Sequence, residues 1–485
     1  MNYIEKKLTP LPHEVRLLPV TEDSYPICSA SRLVSPMDLS EYGYVEEEYI
    51  LSGEADIYSW PKGEERPIVV GKGPYCTRIL VRKPADPARF SGFVEMESFN
   101  GSFKIDHANA GWGLNHEYIL ESGDAWVGYT KDGNCVQSLL TINPERYAGL
   151  GYPNPKPEAE RGKQGWDPFI EYYTQHKVYH PITDDNTYER GLTYEAMFQI
   201  AALLKRCAPG DPFHGYNVRK VLGFGINDYN AQIAALHPYM RMAEDKPVMD
   251  GYLMYMSGEG GQLNYNEDCF PLDDERCCRT CDVPVIKIQT AGDLGGELPH
   301  PLWAALWRCE DGDEPGKQMR WYEIPGLGVH AAFRSDKLFF ACDEDYEKLG
   351  KMEFKQYPYW NQMSRHIMVG ALHNLKAWID EGILPPKAEK IRIHGAYPSI
   401  ELDLDEDGNH LGGIRHTYLE VPIARYGEDS SIVMFDKEKR DSLYKDQADY
   451  VAKVRASAEK MVRDRWILPV AVEALVEQAE SLEWN

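Results

Sequence analysis

One segment of the sequence combines an apolar strand, two glycines and a helical run, an arrangement that can present a nucleophile to a substrate. Residues 220–229 read KVLGFGINDY. A nucleophile elbow requires small residues two positions before and two after the attacking side chain, because strand and helix meet there in a sharp turn. When the motif is centred on Gly225, Gly223 and Asn227 hold these two positions. The position of the attacking side chain is therefore occupied by a glycine.

A candidate acid and a candidate base follow this segment along the chain. Asp293 comes shortly after a predicted strand at 283–290, where a carboxylate can hold an imidazole in the required tautomer. His330 ends a glycine-rich loop after a short strand, and a loop histidine can act as a general base. Taken singly, each residue is typical of an ordinary loop. Together they follow the order nucleophile position, acid and base that α/β-hydrolases use, so we interpret the three positions as one site.

Backbone amides near the elbow can stabilise a developing negative charge even where no serine is present. Enzymes of this class use the amide after the nucleophile together with an amide from an early strand-to-helix loop. The loop that follows the predicted strand at 92–97 is the candidate for the second amide. The candidate oxyanion and substrate-binding residues are Asn100, Gly101, Ser102, Ile226 and Asn227, and Asp228 is a candidate extra acid or base.

The elements around these residues predict an α/β fold. Predicted strands at 92–97 and 125–130 flank a helical segment at 116–122, and such alternation is typical of parallel strands joined by crossover helices. An amphipathic helical run at 194–206 precedes the strand that leads to Gly225. We predict an α/β-hydrolase fold, with a mostly parallel sheet flanked by helices, a large cap or insertion, and a C-terminal extension.

Changes in composition and periodicity divide the chain into three predicted parts. Residues 1–65 are predicted as an N-terminal β-rich lead-in. Residues 66–345 form the predicted core, with an insertion near 148–192 that is rich in Gly, Pro and Tyr and has weak periodicity. Residues 346–485 are predicted as a C-terminal cap and helical extension packed on the core. No internal repeat suggests a solenoid, so one catalytic domain with an elaborate cap is the preferred interpretation.

The charge and hydropathy of the chain limit its partners. Its 485 residues include 52 Lys and Arg against 77 Asp and Glu, for a net charge of −25. Such a chain repels nucleic acid and anionic membranes at long range, so we expect neither as a partner. No apolar run is long enough for a transmembrane helix, and the start has no secretory signal pattern, which favours a cytoplasmic location. We expect a small-molecule substrate; a homo-oligomer is left open.

Two motifs that suggest metal binding do not meet its requirements. A zinc site needs two matched pairs of ligands, whereas the cysteine cluster at 269–281 has no second pair nearby. With no secretory signal, free thiols are the default expectation for the ten cysteines. The run that starts at Asp403 opens like a calcium loop, but its twelfth position is Ile414 rather than Glu. We predict an acidic turn at Asp407 and Gly408, and neither a metal nor a cofactor.

Several stretches between residues 115 and 424, the candidate acid and base among them, resemble the large α/β-hydrolase-domain proteins of bacteria, a family whose members are expected to be esterases. The resemblance implies an α/β-hydrolase fold and ester-type chemistry. At the elbow the family usually reads G-[YF]-S-Q-[ST], whereas this chain reads GFGIN, and Ala291 stands where an acidic residue is common. The matching stretches are Asn115–Tyr118, Gly123–Thr130, His237–Pro238, Asp250–Tyr252, Val283–Thr290 with Asp293, Pro325–His330, Gly412–His416 and Tyr418–Ala424.

Three interpretations of the missing serine remain open. In the first, a His330–Asp293 dyad acts as general base on water or on an acidic substrate proton, and the enzyme hydrolyses or cleaves a small ester, lactone or carbonyl compound, aromatic ones included. In the second, Gly225 replaces the serine of a carboxylesterase. In the third, the protein is a catalytically inactive ligand-binding relative. The retention of both the acid and the base favours the first.

Overall fold

The structure is a computed structural model, and most of the chain is described. The described residues are 1–101, 105–108, 111–131, 133–163, 165, 186–226, 233, 235–256, 262–268, 274, 276, 281–295, 308–328, 342–350, 363–395, 400–429 and 431–484.

A nine-stranded sheet in the order β11-β10-β9-β7-β5-β6-β4-β3-β2 is the main feature of the fold. Strand β5 pairs in parallel with both β6 and β7, and β10 pairs in parallel with β11. The β2–β3, β3–β4 and β4–β6 pairs are antiparallel. The strands of this sheet are β2 (Glu14–Leu18), β3 (Tyr44–Ser59), β4 (Ile68–Pro84), β5 (Phe93–Ser98), β6 (Ala125–Tyr129), β7 (Lys220–Ile226), β9 (Gly251–Tyr255), β10 (Val285–Thr290) and β11 (Met319–Ile324).

Short strand pairs and helices complete the described elements. The short strands are β1 (Lys7–Leu8), β8 (Met240–Arg241), β12 (Ile393–His394), β13 (Glu401–Leu402), β14 (Ala424–Tyr426) and β15 (Ile432–Met434). The helices are α1 (Trp112–Ser122), α2 (Gly133–Ile142), α3 (Gly191–Arg206), α4 (Ala291–Gly295), α5 (Asp343–Lys348), α6 (Met363–Glu381), α7 (Thr417–Glu420), α8 (Lys437–Leu443), α9 (Gln447–Arg463) and α10 (Val470–Glu480). The predicted α/β fold, a large sheet flanked by helices, is confirmed.

The central strands are apolar because both of their faces are covered. Every residue of β5 and β6 is buried, as is usual for parallel strands with helices on both sides. The long β3–β4 hairpin contains β4 as one continuous strand from Ile68 to Pro84. Its residues pair with β3 along nearly the whole length, so ladder hydrogen bonds outweigh the Gly and Pro residues within it. The hairpin also spans the predicted boundary at residue 65.

The C-terminal acidic segment forms the predicted turn but only a short strand. One Asp405 carboxylate oxygen accepts hydrogen bonds from the backbone N–H of Asp407, at 3.0 Å, and of Asn409, at 2.9 Å. Gly408 adopts a positive φ of 80° within this turn. Strand β13 ends at Leu402, before this turn, in which Asp405 is engaged.

The Cα positions separate into two compact units, each built from several stretches of chain. The first contains Met1–Tyr252, Glu259–Val283 and Asp336–Phe354. Its core includes a cluster of buried apolar side chains from the β3–β4 hairpin, α2 and α3. The second contains Leu253–Gly258, Pro284–Ser335 and Lys355–Asn485, so β10 and β11 belong to the same unit as the C-terminal helices.

The cysteines depart in part from the expectation of free thiols. Six of the described cysteines are free, among them the buried Cys281 of the sequence cluster. Cys309, however, is disulfide-bonded. The expectation is therefore wrong at this position, because the sequence pattern around a cysteine does not report which sulfur atoms meet in the fold.

Candidate functional site

Strand β7 brings the elbow segment to the carboxyl edge of the sheet in the first unit. Residues 221–225 are buried, and Ile226 is the last residue of the strand. Gly223 lies against Tyr252, and a Cβ atom at this position would be 2.5 Å from the tyrosine ring and 2.9 Å from Met249 Cε. A larger residue would therefore force the strand or the ring to move. The small residue that the elbow pattern demands before Gly225 has a steric reason here.

A buried chain of polar groups fixes the tyrosine that packs on Gly223. The Tyr252 hydroxyl donates to His237 Nδ1 at 2.7 Å, and His237 Nε2 lies 2.8 Å from Asp282 Oδ1. Burial lowers the pKa of His237, so the ring is neutral with its proton on Nε2. Arg241 forms an ion pair with the other Asp282 oxygen at 2.8 Å. This chain connects β9 with the segment that follows the elbow.

The candidate acid lies in a tight turn at the carboxyl end of β10, in the second unit. Asp293 Oδ2 accepts from the Thr290 backbone N–H at 2.6 Å and from its hydroxyl at 2.9 Å. The Thr290 hydroxyl oxygen in turn accepts from the Asp293 N–H at 3.3 Å. These reciprocal bonds form a capping box at the start of α4. They fix the carboxylate and give it a structural role that the sequence prediction did not include.

The turn that carries Asp293 is bonded to the loop that leads to the candidate base. The Gly292 backbone N–H donates to the Leu327 carbonyl at 3.0 Å. Leu327 and Gly328 are buried and are the last described residues before His330. The acid's turn and the start of the base's loop therefore lie side by side within one unit.

Tyr255, which the sequence prediction did not include, is a neighbour of the acid. Its side chain is fully buried at the end of β9. Burial raises the pKa of this phenol, and the Asp293 carboxylate raises it further, so the hydroxyl keeps its proton. A tyrosine at a strand end gives no distinct signal in the sequence, because most such residues simply pack in the core.

The candidate oxyanion loop leaves β5 at the same sheet edge as the elbow. Glu97 is level with Phe224 in the β5–β7 register, so the chain after Ser98 emerges beside Gly225. The Asn100 N–H donates to the His107 carbonyl at 2.9 Å, and the His107 N–H returns a bond of 3.2 Å. The backbone N–H of Asn100 is thus engaged within the loop. Gly101, which is buried, is the next described amide of the candidate set.

A buried ionic network holds this loop in place at Asp106. Arg78 Nη2 donates to Asp106 Oδ2 at 2.9 Å, and Arg78 Nη1 donates to Glu48 Oε1 at 2.5 Å. Arg146 adds an ion pair with Glu48 at 2.7 Å. All four side chains are largely or fully buried, so removing one partner would leave an unpaired charge. The position of Arg78 directly before the apolar run at 79–81 was a signal of a buried charge, although it does not identify the partners of that charge.

Four of the predicted site residues lie outside the described residues: Ser102, Asn227, Asp228 and His330. Gly225 and Asp293 belong to different units. Within the described ranges, no group of three or more His, Cys, Asp or Glu side chains is arranged to hold a metal ion. The same ranges contain no helix that is long and apolar enough to span a bilayer.

Two esterases of known structure are similar to parts of this chain. Thermogutta terrifontis esterase 2, in a structure phosphorylated by paraoxon, is 11% identical over 69% of this chain and 95% of its own, with a TM-score of 0.29. A glucuronoyl esterase from Solibacter usitatus is 9% identical over 72% of this chain and 86% of its own, with a TM-score of 0.32. At these levels of sequence identity and TM-score, the two esterases provide no evidence about the reaction of this protein. No curated protein matches the sequence.

The family comparison covers nearly the whole chain. The model of the alpha/beta hydrolase domain matches residues 9–477, which include the elbow segment, the candidate acid and the C-terminal helices. The resemblance inferred from the sequence motifs is therefore confirmed. This chain belongs to the alpha/beta hydrolase domain family.

Proposed function

We propose that this protein is an enzyme of the α/β-hydrolase class that acts on a small ester, lactone or carbonyl compound without a serine nucleophile. In this proposal His330 is the general base and Asp293 holds its ring. The backbone N–H groups of Ile226 and Gly101 stabilise the oxyanion. Gly225 leaves room for a water molecule or a substrate group where other enzymes carry a side chain.

The observation that carries the proposal is the hydrogen bond from the Gly292 N–H to the Leu327 carbonyl. It joins the acid's turn to the loop that ends at His330, three residues farther on. One Asp293 oxygen is bound to Thr290, which orients the carboxylate, and the proposal assigns the other oxygen to the imidazole. An acid held in this way stabilises the imidazolium that forms when the base takes a proton.

The oxyanion part of the proposal draws on the β5–β7 register. The Ile226 amide and the loop after Ser98 leave neighbouring parallel strands at the same edge. Backbone N–H groups from two such loops are the usual donors to an oxyanion in this class, and each contributes about 3 kcal/mol to transition-state stabilisation. Because these donors belong to the backbone, the loss of the serine side chain does not remove them.

A set of single variants tests the proposal with p-nitrophenyl acetate and the aryl lactone dihydrocoumarin as probes. We expect the parent to hydrolyse at least one probe. His330→Ala should lower kcat about 100-fold to 10,000-fold, as the loss of a general base does. Asp293→Asn should lower it as well, because the imidazole loses its orienting partner. An undiminished rate in His330→Ala would rule the proposal out.

The variant Gly225→Ser separates the proposal from its two alternatives. If the parent is inactive and Gly225→Ser hydrolyses the aryl ester, the protein is a carboxylesterase that has lost its serine. If neither chain turns over either probe but the parent binds them, the inactive ligand-binding interpretation is correct. Both results contradict serine-free catalysis, whereas an active parent that gains little from the serine supports it.

A further inference from the structure

The C-terminal stretch from Gly412 to Ala424 matches the family pattern closely, and the proposed chemistry gives it no role. In the structure it packs against the strand that precedes the base's loop. The Ile414 N–H donates to the Glu323 carbonyl at 2.8 Å. Gly413, with a φ of 70°, approaches the same carbonyl so closely that an added Cβ would be 2.8 Å from it. The stretch therefore lies against the end of β11 and is held there by backbone contacts.

One side chain from this region contacts the base's loop itself. The Gly326 backbone N–H donates to His410 Nδ1 at 3.1 Å, across 84 residues of sequence. Gly326 has a φ of 72°, which favours glycine, and an added Cβ would be 3.0 Å from Tyr426 and 3.1 Å from Leu419. The first turn of the loop is thus shaped on one side by C-terminal residues.

The tautomer of His410 follows from its two partners. Because Nδ1 accepts a hydrogen bond, the proton must be on Nε2, which lies 3.1 Å from Glu428 Oε2. His410 is only 1% exposed. The hydrogen bond from His410 lowers the pKa of the Glu428 carboxyl, so this group is ionised and accepts the Nε2 proton. Glu428 therefore keeps Nδ1 available as an acceptor for Gly326.

The loop is held on its other side by the candidate acid's turn. Leu327, the residue after Gly326, accepts the hydrogen bond from Gly292 at 3.0 Å. Two successive loop residues are thus held by different partners. Gly326 is bonded to the C-terminal region, and Leu327 is bonded to the turn of Asp293. These two contacts fix the backbone at Gly326 and Leu327.

From this double attachment we infer that His410 is a positioning residue for the catalytic base, acting through Gly326 and held in its tautomer by Glu428. The inference rests on the proposed function and extends it, because it makes the C-terminal region part of the catalytic machinery. His410 does not touch the substrate in this scheme. In this scheme it fixes the loop backbone at Gly326, four residues before His330.

Two substitutions of His410 separate the role of Nδ1 from that of the ring as a whole. In His410→Asn the amide oxygen can occupy the place of Nδ1 and still accept from Gly326. In His410→Gln the amide nitrogen can occupy the place of Nε2, and the Gly326 N–H loses its acceptor. A misplacement of about 1 Å at a reacting group can cost about 100-fold in rate. We expect His410→Gln to lower kcat roughly 10-fold to 100-fold at an unchanged KM, and His410→Asn to stay within about threefold of the parent.

A double variant shows whether His410 acts through the base. In the His330→Ala background, His410→Gln should cause no further loss of activity. If the two losses multiply instead, or if Asn and Gln variants are equally impaired, His410 is only a structural residue and the inference is wrong. If His330→Ala itself retains full activity, the proposed function fails instead, so the two failures are distinguishable.

A spectroscopic readout makes the test independent of turnover. The His330 imidazole can be titrated by NMR in protein labelled with ¹⁵N-histidine, with His330→Ala used to assign its signal. A displaced ring loses the stabilising carboxylate, so its titration should move to lower pH in His410→Gln and stay at the parent value in His410→Asn. Identical titration curves in all three folded proteins, verified by equal Tm values, would overturn the inference.

Discussion

At the scale of single residues, a buried histidine pair in the second unit makes the stability of the protein sensitive to acid. His366 and His416 stack with their ring centroids 5.3 Å apart, and His366 Nδ1 lies 3.1 Å from His416 Nε2. Burial lowers the pKa of His366 from 6.5 to about 4, and it lowers the pKa of His416 still more. Both rings are therefore neutral in the folded protein at neutral pH.

The sign of the resulting pH dependence follows from the proton count. In the unfolded chain both histidines take up protons as the pH falls below 6.5, whereas the folded protein keeps them neutral. Protons therefore favour unfolding between pH 6.5 and about 4. A fall in pKa from 6.5 to about 4 at His366 corresponds to roughly 3 kcal/mol, so we expect the free energy of unfolding to drop across this window.

Urea unfolding at a series of pH values measures this effect. The parent should lose stability steadily from pH 6.5 downward, while His366→Met should show a shallower loss, although it is less stable at neutral pH. His214, which is exposed, supplies the control, since His214→Gln should keep the parent's slope. An unchanged slope in His366→Met would show that other groups govern the acid sensitivity.

At the scale of elements, two neighbouring residues at the end of β5 are both buried but differ in their partners. Glu97 accepts from the N–H groups of Gly111 and Trp112, each at 2.9 Å, and from Trp126 Nε1 at 2.8 Å. It therefore connects the strand to the start of α1, where a negative charge is also favoured by the helix dipole. The buried Ser98 hydroxyl has no hydrogen-bond partner among the residues that the structure describes.

These two residues make a matched pair for stability measurements. We expect Glu97→Gln to lower the free energy of unfolding by about 1–3 kcal/mol, because the amide loses the charge and directs N–H groups at a backbone donor. Ser98→Ala should leave the free energy unchanged or raise it, because it removes a buried group that lacks a partner. Thermal and urea unfolding of both variants check the prediction, and a greater loss for Ser98→Ala would contradict it.

The elements predicted correctly from the sequence are those in which the period of the apolar residues matches the faces that the fold buries. Strand β7 and helix α3 were found because their apolar residues follow the period of a buried strand and of an amphipathic helix. The position of Asp293 just after β10 was also foreseen. The length of β4 was not foreseen, because the continuity of this strand depends on its pairing with β3 rather than on its own residues.

The part of the candidate site that the sequence did not reveal consists of long-range contacts. The contact between His410 and Gly326 joins residues 84 positions apart, and the pair of Glu48 and Arg78 joins adjacent strands deep in the core. Nothing in the local pattern around His410 marks it as a partner of a loop that precedes it. Periodicity reports which face of an element is buried, but it does not report what lies against that face.

At the scale of the whole molecule, the second unit is built from three separate stretches of the sequence, of which 253–258 is short and the other two are long. Residues 284–335 and residues 355–485 cluster together. Arg320 Nε donates to the Pro385 carbonyl at 3.0 Å, and the Tyr322 hydroxyl donates to Pro386 at 2.7 Å. The buried Glu323 carboxylate accepts from the Ile391 N–H at 2.6 Å. The strand at one end of the sheet thus satisfies its buried polar groups through the C-terminal part.

This organisation predicts that a chain ending at residue 345, the predicted end of the core, does not fold. It would retain β11, with the Arg320–Asp313 and Arg308–Glu323 ion pairs. It would lose the bonds of Arg320, Tyr322 and Glu323 to Pro385, Pro386 and Ile391, and an unpaired buried polar group costs about 1–3 kcal/mol. Such losses, with the apolar surface that α6 would have covered, exceed the 5–15 kcal/mol by which domains are usually stable. Size-exclusion chromatography should show an aggregate and calorimetry no cooperative transition, whereas supplying residues 346–485 from a second gene should restore soluble protein. A monomeric fragment 1–345 with one sharp transition would show instead that the C-terminal part is an independent addition to a complete core.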